Sequence, residues 1–173
     1  MYLVISTSLK PSSRSRLLAR RAAHWIENRQ QEVEWVDLAD QRLPACDAGA
    51  CYADPNVQQV GEQIRQARAI LIAAPVYNYD LSSTAKNLIE LTGKAWTGKV
   101  VGFLCAAGGP GSYMSVMGVA NSLMLDFRSL IIPRFVYATE SAFEDDRLVD
   151  PEVDSRIEAL VDDLLRIATA LES

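Results

Sequence analysis

Apolar positions along the chain fall into two kinds of run, and their alternation predicts the elements. Four stretches are β-rich: "YLVIS" at 1–6, "VEWVDL" at 33–38, "AILIAA" at 69–74 and "KVVGFLCAA" at 99–107. A weaker fifth lies in "LIIPRFVYA". The first, third and fourth are apolar almost without interruption, as strands covered on both faces are. The second alternates Val33 and Trp35 with Glu34 and Asp37, which predicts an edge or near-edge strand.

Between these runs the apolar spacing is that of helices. Leu18, Ala22, Trp25 and Ile26 share one face of 13–29, and His24 falls off that face, at the surface. Asp54-Pro55 supplies an N-cap and a first-turn proline for a helix carrying Val57, Val60, Ile64 and Ala67. Ser82 or Ser83 can cap a third helix, with Ala85, Leu88 and Ile89 inside and Gly93 as its stop. Val116, Val119, Ala120, Leu123 and Phe127 mark a fourth. Asp150-Pro151-Glu152 opens a fifth, with a stripe running from Val153 through Ile157, Leu160 and Leu164 to Leu171.

Strand and helix alternate throughout, with no repeat, no low-complexity segment and no linker. That order predicts a parallel sheet with helices on both faces. Five strands with right-handed crossovers favour a flavodoxin-like three-layer α/β/α sandwich, sheet order 2-1-3-4-5, as one domain over 1–173. Ligands in such a fold bind beyond the carboxyl ends of the strands, beside the point where the order reverses. The loops after strands one, three and four are therefore expected to meet.

Composition narrows the setting. With 17 basic against 22 acidic residues and a net charge of -5, the chain lacks the basic footprint of a nucleic-acid binder. No apolar run approaches the roughly 18 residues of a membrane span, and no charged n-region precedes the first strand. A cytoplasmic protein without nucleic-acid or membrane partners is expected. Its three cysteines suit a reducing compartment. Cys105 reads as a core residue, and Cys46 and Cys51 as two loop thiols, with a reversible bridge between them as the alternative. Their spacing and a single histidine do not suggest a metal site.

The three converging loops are all unusual. After strand one, residues 6–16 hold five serines, a threonine and the cations Lys10, Arg14 and Arg16 around a helix start. Unpaired N–H groups and the dipole of a helix N-terminus welcome an anion, and hydroxyls and charged donors add to it. The same composition also suits a plain capping loop with solvated cations. There is no glycine here, so neither a Walker loop nor GxGxxG is present. After strand three, "APVYNYD" places Pro75 to turn the chain out of the strand, Tyr77 and Tyr79 to border a flat ring, and Asn78 to take a left-handed backbone or bond a polar ring edge. Packing on the protein's own surface or at a subunit contact is the alternative for the tyrosines. After strand four, "AAGGPGSYMS" allows close backbone approach at Gly108, Gly109 and Gly111. A ligand with one phosphate, a flat ring system and a polar ring edge would use all three loops, and flavin mononucleotide has that anatomy.

These motifs resemble the NADPH-dependent FMN reductase family, which includes chromate, quinone and azo reductases. "STSLKPSSRSRLLA" is similar to the family's glycine-serine-x-arginine…serine phosphate loop, with Thr7 in place of the glycine and Lys10 in place of the arginine. "PVYNYDLSSTAKNLIE" resembles its proline-x-tyrosine-asparagine…lysine-asparagine signature, and the glycine pair after strand four agrees. The resemblance implies that Ser8, Lys10, Ser13, Arg14 and Ser15 hold the phosphate of FMN. It places Pro75, Val76, Tyr77, Asn78, Gly108, Gly109 and Gly111 around the isoalloxazine. It also implies NADPH or NADH as co-substrate, and free flavin, a quinone, an azo compound or a metal ion as acceptor. No catalytic side chain is expected, because the cofactor carries the chemistry. Family members usually form homodimers or homotetramers. Tyr79, Leu81, Met114 and Met117 are the contact candidates, with core burial expected for at least one methionine. The rival reading is a flavodoxin-type electron carrier that does not itself oxidise nicotinamides. A flavin-free interaction protein on the same fold is a further one.

Overall fold

The computed structural model describes residues 1–171. The first half of the chain forms β1 (Tyr2–Ser6), α1 (Arg14–Asn28), β2 (Val33–Asp37), α2 (Pro55–Gln66) and β3 (Ala69–Tyr77). Then come β4 (Asp80–Leu81), α3 (Ser83–Thr92), β5 (Val100–Ala106), α4 (Met117–Phe127), β6 (Leu130–Ile131) and β7 (Val136–Ala138). A small hairpin, β8 (Phe143–Glu144) and β9 (Arg147–Leu148), precedes α5 (Pro151–Ala170). The main sheet runs β2-β1-β3-β5, with β6 and β7 both parallel to the far edge of β5. This is the expected order 2-1-3-4-5, with β2 at the edge.

Its seven strands exceed the expected five for two local reasons. The fifth position is split: β6 ends at Ile131, β7 resumes at Val136, and Pro133 between them has no N–H for the ladder. The other addition is β4, which turns back antiparallel on the end of β3, pairing Val76 with Leu81 and Tyr77 with Asp80. Strand three is correspondingly longer than 69–74. Pro75 does not end it, because β1 has stopped on that side: Thr7 N–H takes the Ala73 carbonyl at 2.9 Å, and Ser82 N–H takes that of Pro75 at 2.9 Å. Neighbouring backbone groups two residues apart face the same edge, so the missing Pro75 N–H points past the end of β1.

Side-chain alternation divides the core in two. Leu3, Ile5, Ile70, Ile72, Val101 and Phe103 pack with residues of α2, α3 and α4, including Ile64, Leu88 and Leu123. Tyr2, Val4, Leu71, Ala73 and Leu104 pack against α1 and α5, through Leu18, Ala22, Leu160 and Leu164. The result is three layers. A Cβ on Gly102 would meet Leu71 Cδ2 at 2.7 Å and Leu160 Cδ1 at 3.1 Å, so this glycine lets α5 press on the sheet. The Asp54 and Asp150 side chains cap α2 and α5, accepting from Asn56 N at 2.8 Å and Glu152 N at 2.8 Å. Gly93 ends α3 at φ +40. Ser82 occupies the N-cap position of α3, but its hydroxyl bonds Thr84 Oγ1 at 2.8 Å instead of the helix. His24 is exposed, as expected. Among the described residues no helix is long and apolar enough to cross a membrane.

The α1–α5 seam carries a polar clamp. Asp154 accepts from Arg21 Nε and Nη2, both at 2.6 Å, and from Trp25 Nε1 at 3.0 Å. The Arg21 hydrogen bonds hold its carboxyl below the ordinary aspartate range. A depressed carboxyl adds stability above the unfolded-state value of about 3.9 and loses it as the pH falls through the folded-state value. Asp154→Asn is therefore expected to cost up to about 1 kcal/mol near neutral pH, the upper range for a partly exposed bidentate pair. In urea titrations the gap from the parent protein should close below about pH 4; a gap of the same size in acid would mean that the clamp acts through packing alone.

Candidate functional site

One end of the candidate site is built where β1 empties into α1. Ser13 is the N-cap of α1 in extended conformation, yet its side chain makes no capping hydrogen bond. It bonds Ser15 Oγ at 2.9 Å instead, and no acidic residue occupies the first turn. The helix N-terminus thus keeps its unpaired N–H groups for something else. Ser8, Ser13 and Ser15 are buried around it, with Lys10 and Arg14 more exposed at the rim.

Behind this loop lies a residue to which sequence reasoning assigned no role. Arg16 is only 7% exposed and forms a bidentate ion pair with Asp37 at the end of β2. Its remaining donors take the carbonyls of Ser8 at 3.0 Å, Lys10 at 2.6 Å and Pro11 at 2.5 Å. The hydrogen bond to Asp37 raises the guanidinium further above its ordinary value, against the effect of burial. Three loop carbonyls, the groups that would repel an anion, are thereby drawn onto a buried cation. The signal in the sequence was slight: a charged residue one turn before Ala19 on the buried face of α1, and an aspartate closing the edge strand.

Thr7, where the resembling family has glycine, takes no left-handed backbone. It is fully buried, and its hydroxyl donates to the Ala73 carbonyl at 3.0 Å while Thr84 Oγ1 donates to the Thr7 carbonyl at 2.6 Å. The threonine ties the loop to β3 and α3.

The β3–β4 connection is a two-residue hairpin with Asn78 at φ 51 and Tyr79 at φ 68. Two left-handed residues are what such a hairpin requires, although the second is a bulky aromatic. Tyr77 and Tyr79 are 56% and 60% exposed, while Pro75 and Val76 are buried beneath them. Asn87 of the lysine-asparagine pair serves structure: it accepts from Cys46 N at 2.9 Å and donates to the Pro44 carbonyl at 2.8 Å, holding the loop after β2.

In the turn after β5, none of Gly108, Gly109 and Gly111 has a positive φ, and a Cβ added to any of them meets nothing within 4 Å. Neither backbone strain nor the protein's own packing demands glycine there. What the missing side chains leave is open space above the backbone. Tyr137 of β7 anchors the turn by donating to the Gly109 carbonyl at 2.6 Å, and Tyr113 packs on Tyr137 with ring centroids 5.5 Å apart.

These segments border one cavity of about 430 Å³. Ser8, Lys10, Ser13, Arg14 and Ser15 line one end, and Pro75, Val76, Tyr77 and Gly108 the other. Asn78, Gly109 and Gly111 lie outside the lining. Sequence reasoning missed Ser12, Ala106 and Ala107, which are neighbours of assigned residues, and Glu140 and Asp146, which come from an irregular stretch near the C-terminus. Arg14 Nη2 donates to Glu140 Oε1 at 2.5 Å, and this holds the Glu140 carboxyl below the ordinary glutamate range.

Over residues 2–144 the sequence matches the family described as NADPH-dependent FMN reductase. The chain belongs to that family. An NAD(P)H-dependent FAD/FMN reductase of Geobacillus thermodenitrificans is 28% identical over 145 residues, spanning 82% of this chain and 78% of that protein. The NADH-dependent FMN reductase SfnF of Pseudomonas putida is 27% identical over 92% of this chain and 88% of its own length. Among solved structures, the apo form of NADH:FMN oxidoreductase (EMOB) superposes with a TM-score of 0.78 at 17% identity, covering 95% of this chain and 88% of that one. FerB from Paracoccus denitrificans gives 0.75 at 20% identity, over 95% and 97%. At these identities the structural likeness speaks for the fold. The chain is an FMN-dependent NAD(P)H oxidoreductase, which sets aside the electron-carrier and flavin-free readings. For an FMN reductase the donor set fits: hydroxyls, two cations and a helix N-terminus suit a monophosphate, and the open glycine turn leaves room for a flat ring.

Removing Arg16 would leave Asp37 buried and unpaired. Arg16→Ala is expected to lower unfolding free energy by about 3–5 kcal/mol, with part recovered when Asp37→Asn is added. In the double variant the loop carbonyls stay unclamped, so FMN should bind more weakly than to the parent protein even where thermal stability has returned. Full FMN affinity in a restabilised double variant would show that Arg16 supports the fold and not the loop.

Proposed function

We propose that this reductase seats FMN in the cavity between the β1–α1 loop, the β3–β4 hairpin and the turn after β5. Ser8, Ser13, Ser15, Lys10 and Arg14 would hold the phosphate, with α1 adding its N-terminal N–H groups. Pro75, Val76 and Tyr77 would border the isoalloxazine, with Asn78 and the backbone of Gly108, Gly109 and Gly111 around its polar edge. The observation that carries this is the convergence of a hydroxyl-rich helix start and an open glycine turn on one cavity. When bound, FMN takes a hydride from a reduced nicotinamide and passes the electrons to an acceptor.

The protein's own contribution is then placement and electrostatics. Backbone N–H groups at Gly108 and Gly109 supply preorganised donors to a carbonyl-rich ring edge, with the turn held by Tyr137. Tyr77 shields one side of the ring from water. The cavity's carboxylates, Glu140 and Asp146, stand with the phosphate residues, and no side chain is assigned an acid–base role. NADPH or NADH serves as donor, and free flavin, a quinone, an azo compound or a metal ion as acceptor.

We also read the chain as one FMN-binding domain that works in the cytoplasm as a homodimer or homotetramer. Its free thiols Cys46, Cys51 and Cys105 support a reducing compartment. Tyr79, Met114 and Met117 are exposed and support a subunit contact, with both methionines outside the core. Leu81 is 6% exposed and packs inward, which removes it from that surface.

Two substitutions test the two ends of the cavity. Arg14→Ala is expected to weaken FMN binding by roughly 1.5–3 kcal/mol, the worth of a charged hydrogen bond, and to leave riboflavin, which lacks the phosphate, unaffected. An equal loss for both flavins would assign Arg14 to the fold. Tyr77→Ala should cost roughly 0.5–1.5 kcal/mol of flavin affinity, for FMN and riboflavin alike, with altered flavin absorbance and an unchanged melting temperature. A lower melting temperature with intact flavin spectra would sink the placement of Tyr77 on the ring.

A further inference from the structure

Arg14 is claimed from two directions. It lines the anion end of the cavity with Ser8, Ser13 and Ser15, yet its Nη2 is bonded to Glu140 Oε1 at 2.5 Å. Glu140 opens the short 3-10 turn Glu140–Ala142 after β7 and lines the same cavity. The cations Lys10 and Arg14 thus face the carboxylates Glu140 and Asp146, and the lining is charge-balanced before any anion enters. The side chains of Arg14 and Glu140 are 42% and 68% exposed, so their pair is of the weak, readily exchanged kind.

We propose that Glu140 is an internal stand-in for the flavin phosphate: its carboxylate holds Arg14 at the cavity mouth and is displaced when the phosphate arrives. This rests on the phosphate placement given above. Exchange favours the phosphate, because a dianion can engage the planar guanidinium fork and, at the same time, the hydroxyls and helix N–H groups that Glu140 leaves unused. The competing carboxylate nevertheless subtracts from FMN affinity and speeds FMN release. Asp146 sits at the tip of the β8–β9 hairpin with φ 60 and shares the cavity without pairing with Arg14 among the described contacts, so the exchange belongs to Glu140.

Flavin-free protein is titrated with FMN and with riboflavin by fluorescence quenching, and FMN release is followed by stopped flow. The parent, Glu140→Gln, Arg14→Ala and the double variant are compared. Glu140→Gln should tighten FMN by about 1.4- to five-fold, the range to which the worth of an exposed ion pair converts, slow FMN release, and leave riboflavin unmoved. In the Arg14→Ala background the same change should give no gain. Unchanged FMN affinity and release in Glu140→Gln overturns the proposal, and so does weaker FMN binding, which would mean that Glu140 aims Arg14 at the phosphate. A gain that survives without Arg14 also overturns it, since the carboxylate would then act as a field on the whole cavity. Equal binding of riboflavin and FMN to the parent protein would mark a different failure, that of the phosphate placement itself.

Discussion

A guanidinium is seldom buried, because taking its charge out of water costs several kcal/mol unless every donor finds a partner. Arg16 finds them all close at hand: the Asp37 carboxylate on one side and the carbonyls of Ser8, Lys10 and Pro11 on the other. Those partners lie on the edge strand, on the loop and on either side of a proline. One residue near the start of α1 therefore sets where β2 ends, how the loop folds and which way its carbonyls face. The loop does not need the glycine that resembling proteins carry, since Thr7 closes its other flank with a hydroxyl bonded to the Ala73 carbonyl.

Fixing that loop has value only because the sheet puts two others beside it. With β1 between β2 and β3, the order reverses at β1, and the loops leaving β1 and β3 open a crevice between them. Close packing below makes that crevice stiff: Gly102 admits Leu160 of α5 onto the sheet, and Trp96 is fully buried with its Nε1 donating to Thr92 Oγ1 at 2.7 Å. At the rim, Asn78 and Tyr79 are left-handed, and a left-handed tyrosine costs free energy that a glycine would not. An aromatic kept at such a position fits a surface reserved for contact with a flat ligand or a second subunit.

Much of this was legible in the sequence, for physical reasons that also explain what was not. Strands buried on both faces write unbroken apolar runs, so β1, β3 and β5 were visible, and the Asp-Pro starts of α2 and α5 were visible through their caps. β3 read short because a proline normally ends a strand, and only the position of β1's end shows why Pro75 does not. The faint fifth strand was faint because it is broken. Ser8, Lys10, Ser13, Arg14, Ser15, Pro75, Val76, Tyr77 and Gly108, which line the cavity, stood out in the sequence because each sits in a composition anomaly at the end of a recognisable strand. Arg16 was passed over because an arginine in the first turn of an amphipathic helix ordinarily faces water. Glu140 and Asp146 lie in a stretch without periodicity, and nothing local says that it returns to the cavity.

The same architecture bears on Cys105, a thiol next to the cavity lining in sequence. Cys105 lies directly before Ala106 and Ala107, both cavity residues, but its side chain points into the core shared with α2, α3 and α4. Burial pushes it up to about 12, because a thiolate there would be a charge without solvent or partner. At physiological pH it stays protonated and weakly nucleophilic, a small apolar residue in the core beneath the cavity lining. A strand that alternates its side chains between two cores can thus present backbone and small residues to the cavity at one position and bury a reactive group at the next. That separation gives the cavity a rigid, unreactive floor.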